Sequence, residues 1–335
     1  MRRGRESARP VGDGARPDEP AKPMTPQSPG AGVAYAFACL LILGVMPIIA
    51  NSRPADFDAL AFAFFLSVWQ VVFAVPLVVR EAASADNRGI FGAQLDPALK
   101  RRTIAIIIAT GGIFGLSTYL YVLALEKAGA VNASIALQAY PLFAIALEAV
   151  FLKRTKNAPE LLFTMMLIGA LYALATGGTW RVEGLSPWFG VALTVPLLWS
   201  IAHIIVKEEL NRTPITPAQV TFFRVLVSAA FLGVVLAAVS GPAALIGGLA
   251  NLTFQAFALA MGFAYYAELI FWFYAVRSID VSVASSIAVP APALTMVLAI
   301  LFLGEVVEPH QILALAVVAV SIYGLLFAGA RKQKA

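Results

Sequence analysis

One cysteine, Cys39, among 335 residues leaves no partner for an intramolecular disulfide, and its apolar neighbours mark it as a small buried hydrophobe. Histidine is almost as scarce. The chain has two, His203 and His310, too far apart for a His-Glu-x-x-His zinc site, and no Walker A loop is present to hydrolyse nucleotide. No paired aspartates fall inside an apolar stretch, as an intramembrane protease would need. Charge is short as well: 13% of residues are charged, against about 25% in a soluble domain. With 60% hydrophobic residues and a mean hydropathy of +0.83, the chain could not cover its surface in water. These absences exclude a soluble protein and point to a polytopic membrane protein. The net charge of +5 is spread over short loops instead of one patch, so nucleic acid is not an expected partner. No residue pattern calls for a cofactor or a metal, and the expectation is a protein that is not an enzyme.

Residues 1–30 differ from the rest. They are rich in Pro, Gly and charge with almost nothing to bury, which predicts a disordered basic tail. The tail is not read as a secretory signal, because the first apolar stretch lies about thirty residues in and is long enough to span. Residues 330–335 form a second basic tail.

A bilayer core of about 30 Å needs roughly 20 apolar residues per helix. Ten stretches qualify: Gly32–Ala50, Leu60–Val79, Thr103–Leu125, Val131–Leu152, Leu161–Ala175, Pro187–Val206, Pro217–Val239, Leu252–Val276, Val281–Leu303 and Ile312–Ala328. With the N-terminus inside, 20 of the 24 Lys and Arg residues fall in inside segments; only Arg53, Lys127 and Arg181 fall outside, and Arg224 is within a helix. That asymmetry predicts both termini in the cytoplasm.

The stretch from Gly111 to Gly178 recurs without a gap 151 positions later, from Gly262 to Gly329, with twelve identities over sixty-eight positions. Pro141 and Pro292 are one of the identical pairs. Five helices per copy is an odd number, so the second copy must insert upside-down relative to the first. The expected fold is an all-α integral membrane protein of ten transmembrane helices in two inverted five-helix repeats, over residues 31–178 and 185–329. Duplicated units of this kind are a mark of secondary transporters, in which exchanging the conformations of the two halves turns one open side into the other.

The segment from Ala267 to Leu326 resembles the drug/metabolite transporter superfamily, specifically its EamA-like members. The resemblance is carried by the hinge after Ala275-Val276-Arg277, the Pro292 helix, and Phe302-Leu303-Gly304-Glu305 before the last helix. A weaker copy runs from Thr118 to Arg154. The resemblance implies a carrier of small organic metabolites, with efflux and electrochemical coupling. Two departures stand out. The first copy reads Phe151-Leu152-Lys153-Arg154 where the second has Gly304-Glu305 after its Phe-Leu pair. Arg224 on the seventh helix has no arginine counterpart on the second, which offers Trp69 and Gln70 instead.

Ionisable groups inside a span are costly and default to function. Glu268, flanked by Tyr265, Tyr266 and Trp272, is the first candidate: it could take up and release a proton as the site opens to either side. The competing reading makes it packing glue, bonded to a hydroxyl or paired with Arg224. Arg224 could clamp an anionic group with two hydrogen bonds, although snorkelling to the interface is the preferred reading. His203 is a candidate site residue or an interhelical hydrogen-bonder. Glu148, beside Lys153 and Arg154, reads as an interfacial ion pair, and Glu126-Lys127 as a solvated hinge. Pro141 and Pro292 each kink a helix and free the carbonyl four residues earlier, Leu137 and Ala288, while Pro290 frees that of Ser286. In hydrocarbon those carbonyls need a partner, and Gln138, Tyr140 and Ser286 are placed to line a cavity there. Tyr119, Tyr121, Tyr265, Tyr266 and Trp272 could wall an organic solute. Gly111 and Gly115 have the G-x-x-x-G spacing of close helix packing, within the chain or in a homodimer.

The expectation is a multi-pass carrier of a cell membrane, a bacterial inner membrane by its resemblance, working by alternating access on a small-molecule substrate such as an amino acid or related zwitterion. Its partners are then the lipid bilayer, the substrate and a proton. The competing classes are a membrane-embedded sensor or a lipid-modifying enzyme.

Overall fold

The computed structural model describes residues 29–84, 89–140, 142–143, 146–147, 158–279, 284 and 287–334. Among these residues the regular structure is helical throughout. The helices are α1 (Pro29–Asn51), α2 (Ala59–Ala83), α3 (Pro97–Ala128), α4 (Ala130–Leu137), α5 (Ala158–Ala175), α6 (Pro187–Arg212), α7 (Pro217–Ser240), α8 (Pro242–Ala250), α9 (Leu252–Ser278), α10 (Ala291–Leu298) and α11 (Pro309–Lys334). Eight of them, all but α4, α8 and α10, are long and apolar enough to cross a membrane. Their starts are chemically marked. Asp58 caps α2 by accepting from Ala61 N at 2.8 Å, and Thr216 and Gln219 form a reciprocal capping box on α7.

The remaining two predicted spans, Val131–Leu152 and Val281–Leu303, are not continuous helices where they are described. α4 ends at Leu137 and the chain turns at Gln138 and Ala139; α10 begins at Ala291 after a turn at Val289 and Pro290. The two turns lie 151 positions apart, at the same place in each repeat. The prolines explain the break: each lacks the N–H that would bond back to Leu137 or Ala288, and its ring clashes with that carbonyl. Pro292 is buried in the first turn of α10, and Pro141 lies outside the described residues, as do Ser286, Glu148, Lys153 and Arg154. The second broken helix passes into a π-helical segment, Ala299–Leu303, which stops at Gly304 in the left-handed region (φ 66°). Glycine adopts that conformation without a Cβ penalty. One helix was not foreseen at all: α8 occupies part of what reads as a loop, nine residues being too short to register as a span, and it leaves Ile246 and Leu249 exposed.

Packing follows the repeat. α1 lies along α9 and α3 along α6; α2 meets α9 and α3 meets α7; α1 meets α10 and α6 meets α4. The pairs α2 with α7, α4 with α10 and α5 with α11 map onto themselves when the two copies are exchanged. Gly111 and its mate Gly262 show the correspondence in detail. A methyl group on Gly111 would lie 2.5 Å from Val227 Cβ and 3.3 Å from Arg224 O; one on Gly262 would lie 2.6 Å from Trp69 Cβ and 2.7 Å from Leu66 O. Val227 therefore corresponds to Trp69, and Arg224 corresponds to Leu66, not to the Trp69 or Gln70 named from sequence. Gly111 and Gly115 are both spent on packing against α7.

Contacts between helix ends sort into two groups. At one end Asn51 Nδ2 donates to Leu125 O (2.8 Å), Arg53 pairs with Glu126, and Gln311 Nε2 donates to Asn132 Oδ1 (2.7 Å). At the other, Thr103 Oγ1 donates to Glu209 Oε1 and Thr216 Oγ1 to Glu81 Oε2, each at 2.5 Å.

Candidate functional site

Five elements converge on one buried polar cluster: α3, the helical residues just past the α4 break, α6, α7 and α9. From α7 comes Arg224, only 9% exposed. Its guanidinium carbon sits 4.1 Å from the centroid of the Phe114 ring on α3. It does not snorkel. It lies about two helical turns inside α7, where a stacked aromatic face gives the buried cation a partner within the bundle. Its Nε is buried without a hydrogen-bond partner, and no ion pair among the described residues includes it.

Glu268 projects from α9, half-buried. Its electrostatic neighbours are Arg224, Tyr265 and Tyr121, yet it stands beyond ion-pair distance of Arg224. The carboxylate and the guanidinium share the cluster without closing on each other. The Glu268 carbonyl accepts from Cys39 Sγ (3.4 Å), tying α9 to α1.

Aromatic groups enclose these charges. The Tyr121 ring lies 6.1 Å from Trp199 and 6.2 Å from Tyr265. Trp199 Nε1 donates to Ser117 Oγ at 3.1 Å, and the Tyr265 hydroxyl interacts with Thr118 and Trp199. His203 on α6 is flanked by Phe114 (5.3 Å between ring centroids) and Tyr140 (5.9 Å), with the Tyr140 hydroxyl 3.5 Å from its Nδ1. Ser200 Oγ reaches the Tyr140 carbonyl at 3.4 Å, joining α6 to the break after α4.

Of the residues singled out from sequence, Glu268, Arg224, His203, Tyr121, Tyr140 and Tyr265 come together here. Gln138 sits at the break itself, half-buried. Trp272 does not join them; it packs with Ala36, Ala275 and Ala284 in a separate small core. Gln70 is buried on α2 against the backbone opposite Gly262. Tyr266 turns elsewhere, with Tyr274 and Glu81 as its electrostatic neighbours. Phe114, Thr118 and Trp199 were missed. They are apolar or weakly polar residues in apolar helices, and nothing in their spacing separates a site face from a lipid face.

The two charges of the cluster come from one copy only. The mate of Glu268 is Ser117, which receives the Trp199 hydrogen bond, and the place of Arg224 in the first copy is taken by Leu66. The scaffold is duplicated; the chemistry is not.

At the end where α1 and α3 finish, a cavity of about 530 Å³ is lined by Asn51, Arg53, Asp56, Phe57, Glu126 and Glu305. Glu126 and Lys127 are exposed, as a solvated hinge requires, and Glu126 pairs with Arg53 as well as with Lys127 (2.7 Å). Burial lowers the Arg53 pKa from its ordinary value, and Glu126 opposes that shift. Glu305 accepts from Ala130 N (2.8 Å) and Val131 N (3.3 Å). A residue of the second copy thus caps the N-terminus of α4 in the first, where a carboxylate also meets the positive end of the helix dipole.

No curated protein matches the chain. One solved crystal structure superposes on 89% of this chain and 98% of its own with a TM-score of 0.59 and 15% sequence identity, a likeness of fold alone; it is among 28 solved chains that match. The sequence pattern of the EamA-like transporter family matches twice, over residues 30–176 and 186–327. Two matches that together cover most of the chain, on a multi-pass helical scaffold whose packing repeats with them, mean that this protein belongs to the EamA-like transporter family.

Proposed function

We propose that this protein is a proton-coupled secondary transporter that exports a small zwitterionic metabolite, of the amino-acid type, by alternating access between two inverted repeats. The observation that carries the reading is the pair Arg224 and Glu268: opposite charges in one buried cluster, each without an ion-pair partner among the described residues, between aromatic walls. A single charge at mid-bilayer costs roughly 2.5–3.5 kcal/mol on insertion scales, and two free charges of opposite sign would pair unless another ligand used them. A substrate carboxylate fits the planar fork of Arg224. A substrate ammonium fits Glu268, and the rings of Phe114, Tyr121, Trp199 and Tyr265 enclose the space around the charges.

The same arrangement supplies coupling. Proton and substrate ammonium compete for one carboxylate, so Glu268 releases its proton as substrate binds and recovers one as substrate leaves. Competition at a single group yields antiport, and a proton gradient directed inward then drives the metabolite out. Gln138, Tyr140 and His203 sit at the break after α4, where a discontinuous helix lets the chain rearrange around the bound solute. The remaining parts of the reading are ten spans over 31–178 and 185–329, with both termini on the cytoplasmic side of a bacterial inner membrane. Twenty of 24 basic residues in inside segments support that orientation.

Counterflow in proteoliposomes loaded with pools of amino acids, sugars, nucleosides and organic acids tests the substrate class. Exchange of an amino-acid pool is expected. Exchange of a pool with no ammonium group would overturn the assignment of Glu268. No exchange from folded, inserted protein would move the weight to a sensor or to a lipid-modifying activity.

A further inference from the structure

Glu209, in the last turn of α6, takes no part in the central cluster, yet it is only 2% exposed. Its Oε1 accepts from Thr103 Oγ1 on α3 at 2.5 Å, while Oε2 is buried with no hydrogen-bond partner. A buried charged oxygen without a donor is expensive and calls for an explanation. Beside it runs a narrow cleft between α3, α6 and α7, walled by Ile106, Thr110, Val206 and Ile215. Arg224 lines the same cleft, and its Nε is the buried donor that lacks a partner. One cleft therefore holds an unused cationic donor and an unused anionic acceptor, contributed by two consecutive helices of the second repeat that both pack against α3.

The charges around them are few. On the Arg224 side the ionisable neighbours are His203 on α6 and Tyr265 and Glu268 on α9. On the Glu209 side, Lys100, Arg101 and Arg102 lead α3 at the same end, and Arg212 in the last turn of α6 is taken by Glu208.

We propose that Glu209 is the counter-ion of Arg224 in the substrate-free, proton-loaded carrier. The proposal rests on Glu268 being the coupling carboxylate. With substrate bound, its carboxylate neutralises Arg224 and its ammonium neutralises Glu268, while Glu209 keeps its charge, held by the Thr103 hydroxyl alone. When substrate leaves and Glu268 takes a proton, Arg224 has lost both of its anions in a low-dielectric site. Glu209 replaces them: the guanidinium leaves the face of Phe114, enters the cleft and donates to Oε2. One cation shared by two carboxylates leaves one negative charge over, so the trio holds one proton in the empty carrier. The shuttling of Arg224 then lets the empty carrier change sides without an unpaired charge.

The test separates two kinds of flux. Exchange of substrate across the membrane uses only loaded carrier; net pH-driven transport also needs the empty carrier to return. Glu209→Gln is expected to cut net pH-driven transport about tenfold or more while exchange persists, with a lower KM because nothing draws Arg224 away from the substrate. Glu209→Asp, which keeps the charge, is expected to recover net transport in part. Thr103→Ala, which removes only the other hydrogen bond of Glu209, is expected to leave both fluxes near wild type. Equal loss of exchange and net transport in Glu209→Gln, or wild-type behaviour in both, overturns the proposal. Should Glu209→Gln fail to accumulate, the double variant Glu209→Gln/Arg224→Gln decides. Recovery of folded protein supports the ion pair; loss of the double variant, with Arg224→Gln alone intact, overturns it. Glu268→Gln measured alongside keeps the two readings apart. Normal pH-driven flux in that variant removes Glu268 as the coupling group, whatever Glu209 does to exchange KM.

Discussion

Replacing Glu305 by alanine removes the contact by which a carboxylate of the second repeat caps α4 of the first. Two backbone donors, Ala130 N at 2.8 Å and Val131 N at 3.3 Å, lose their acceptor. A hydrogen bond to a charged group is worth about 1.5–3 kcal/mol and a helix N-cap about 1 kcal/mol. The longer bond is weak and Glu305 is half-buried, so water recovers part of the loss. About 2 kcal/mol is the resulting expectation for Glu305→Ala, and about half of it for Glu305→Gln, whose side-chain carbonyl can still accept. For a chain of 335 residues that corresponds to a fall in melting temperature of roughly 3 °C, readable by fluorescence thermal unfolding in detergent. On the proposed alternating-access cycle the consequence reaches function, because the cap joins the two repeats. A bias of about 2 kcal/mol shifts the ratio of the two open states by about thirtyfold. Labelling of a cysteine introduced at Asp56, in the cavity Glu305 helps to line, reports that shift. Unchanged melting and unchanged labelling in Glu305→Ala would refute the cap as a tie between repeats.

Three further outcomes follow from the same geometry. Glu268→Gln is expected to abolish pH-driven transport while the protein remains folded, and the flux of that variant should no longer vary with pH; normal pH-driven flux would remove the coupling role. Arg224→Lys keeps the charge but loses the planar fork and its stacking on Phe114, so the KM for exchange should rise about tenfold with kcat little changed, measured by counterflow. Gly262→Ala sets a methyl 2.7 Å from Leu66 O and 2.6 Å from Trp69 Cβ, which forces α2 and α9 apart at a cost of about 1–3 kcal/mol; thermal unfolding equal to that of the unsubstituted protein would disprove the close approach.

Much of the framework was legible because membrane insertion writes it in one dimension. Length and apolarity located the eight long spans, and the identical prolines at 141 and 292 marked the helices that the structure breaks. The repeat offset of 151 then placed both turns at equivalent positions. Glu268 and Arg224 stand out for the same reason, since a charge in an apolar run is costly, although the sequence favours snorkelling for Arg224 and leaves Glu268 open between a coupling group and packing. Other features were not. Trp199 and Phe114 carry no periodic signal, because a helix with lipid on one side and protein on the other is apolar on both faces and has little amphipathic contrast. Glu209 lies three residues past the span that ends at Val206 and has no signal of its own in the sequence. Its burial depends on Thr103, 106 positions earlier, and no local pattern encodes that contact. The pairing of exposed Glu126 with Arg53, 73 positions earlier, likewise has no local signal.

The sequence by itself determined a duplicated membrane protein with two charged residues to accommodate inside its spans and two helices kinked at their prolines. Those are properties of solvation and backbone covalent structure, which act residue by residue. Only the tertiary structure decided that Leu66, not Trp69 or Gln70, stands where symmetry would put a second Arg224, that Trp272 lies outside the site, and that Glu209 shares a cleft with Arg224. Those outcomes depend on how the two copies rotate against each other, and that rotation is set by close packing at positions such as Gly111 and Gly262, far apart in the chain.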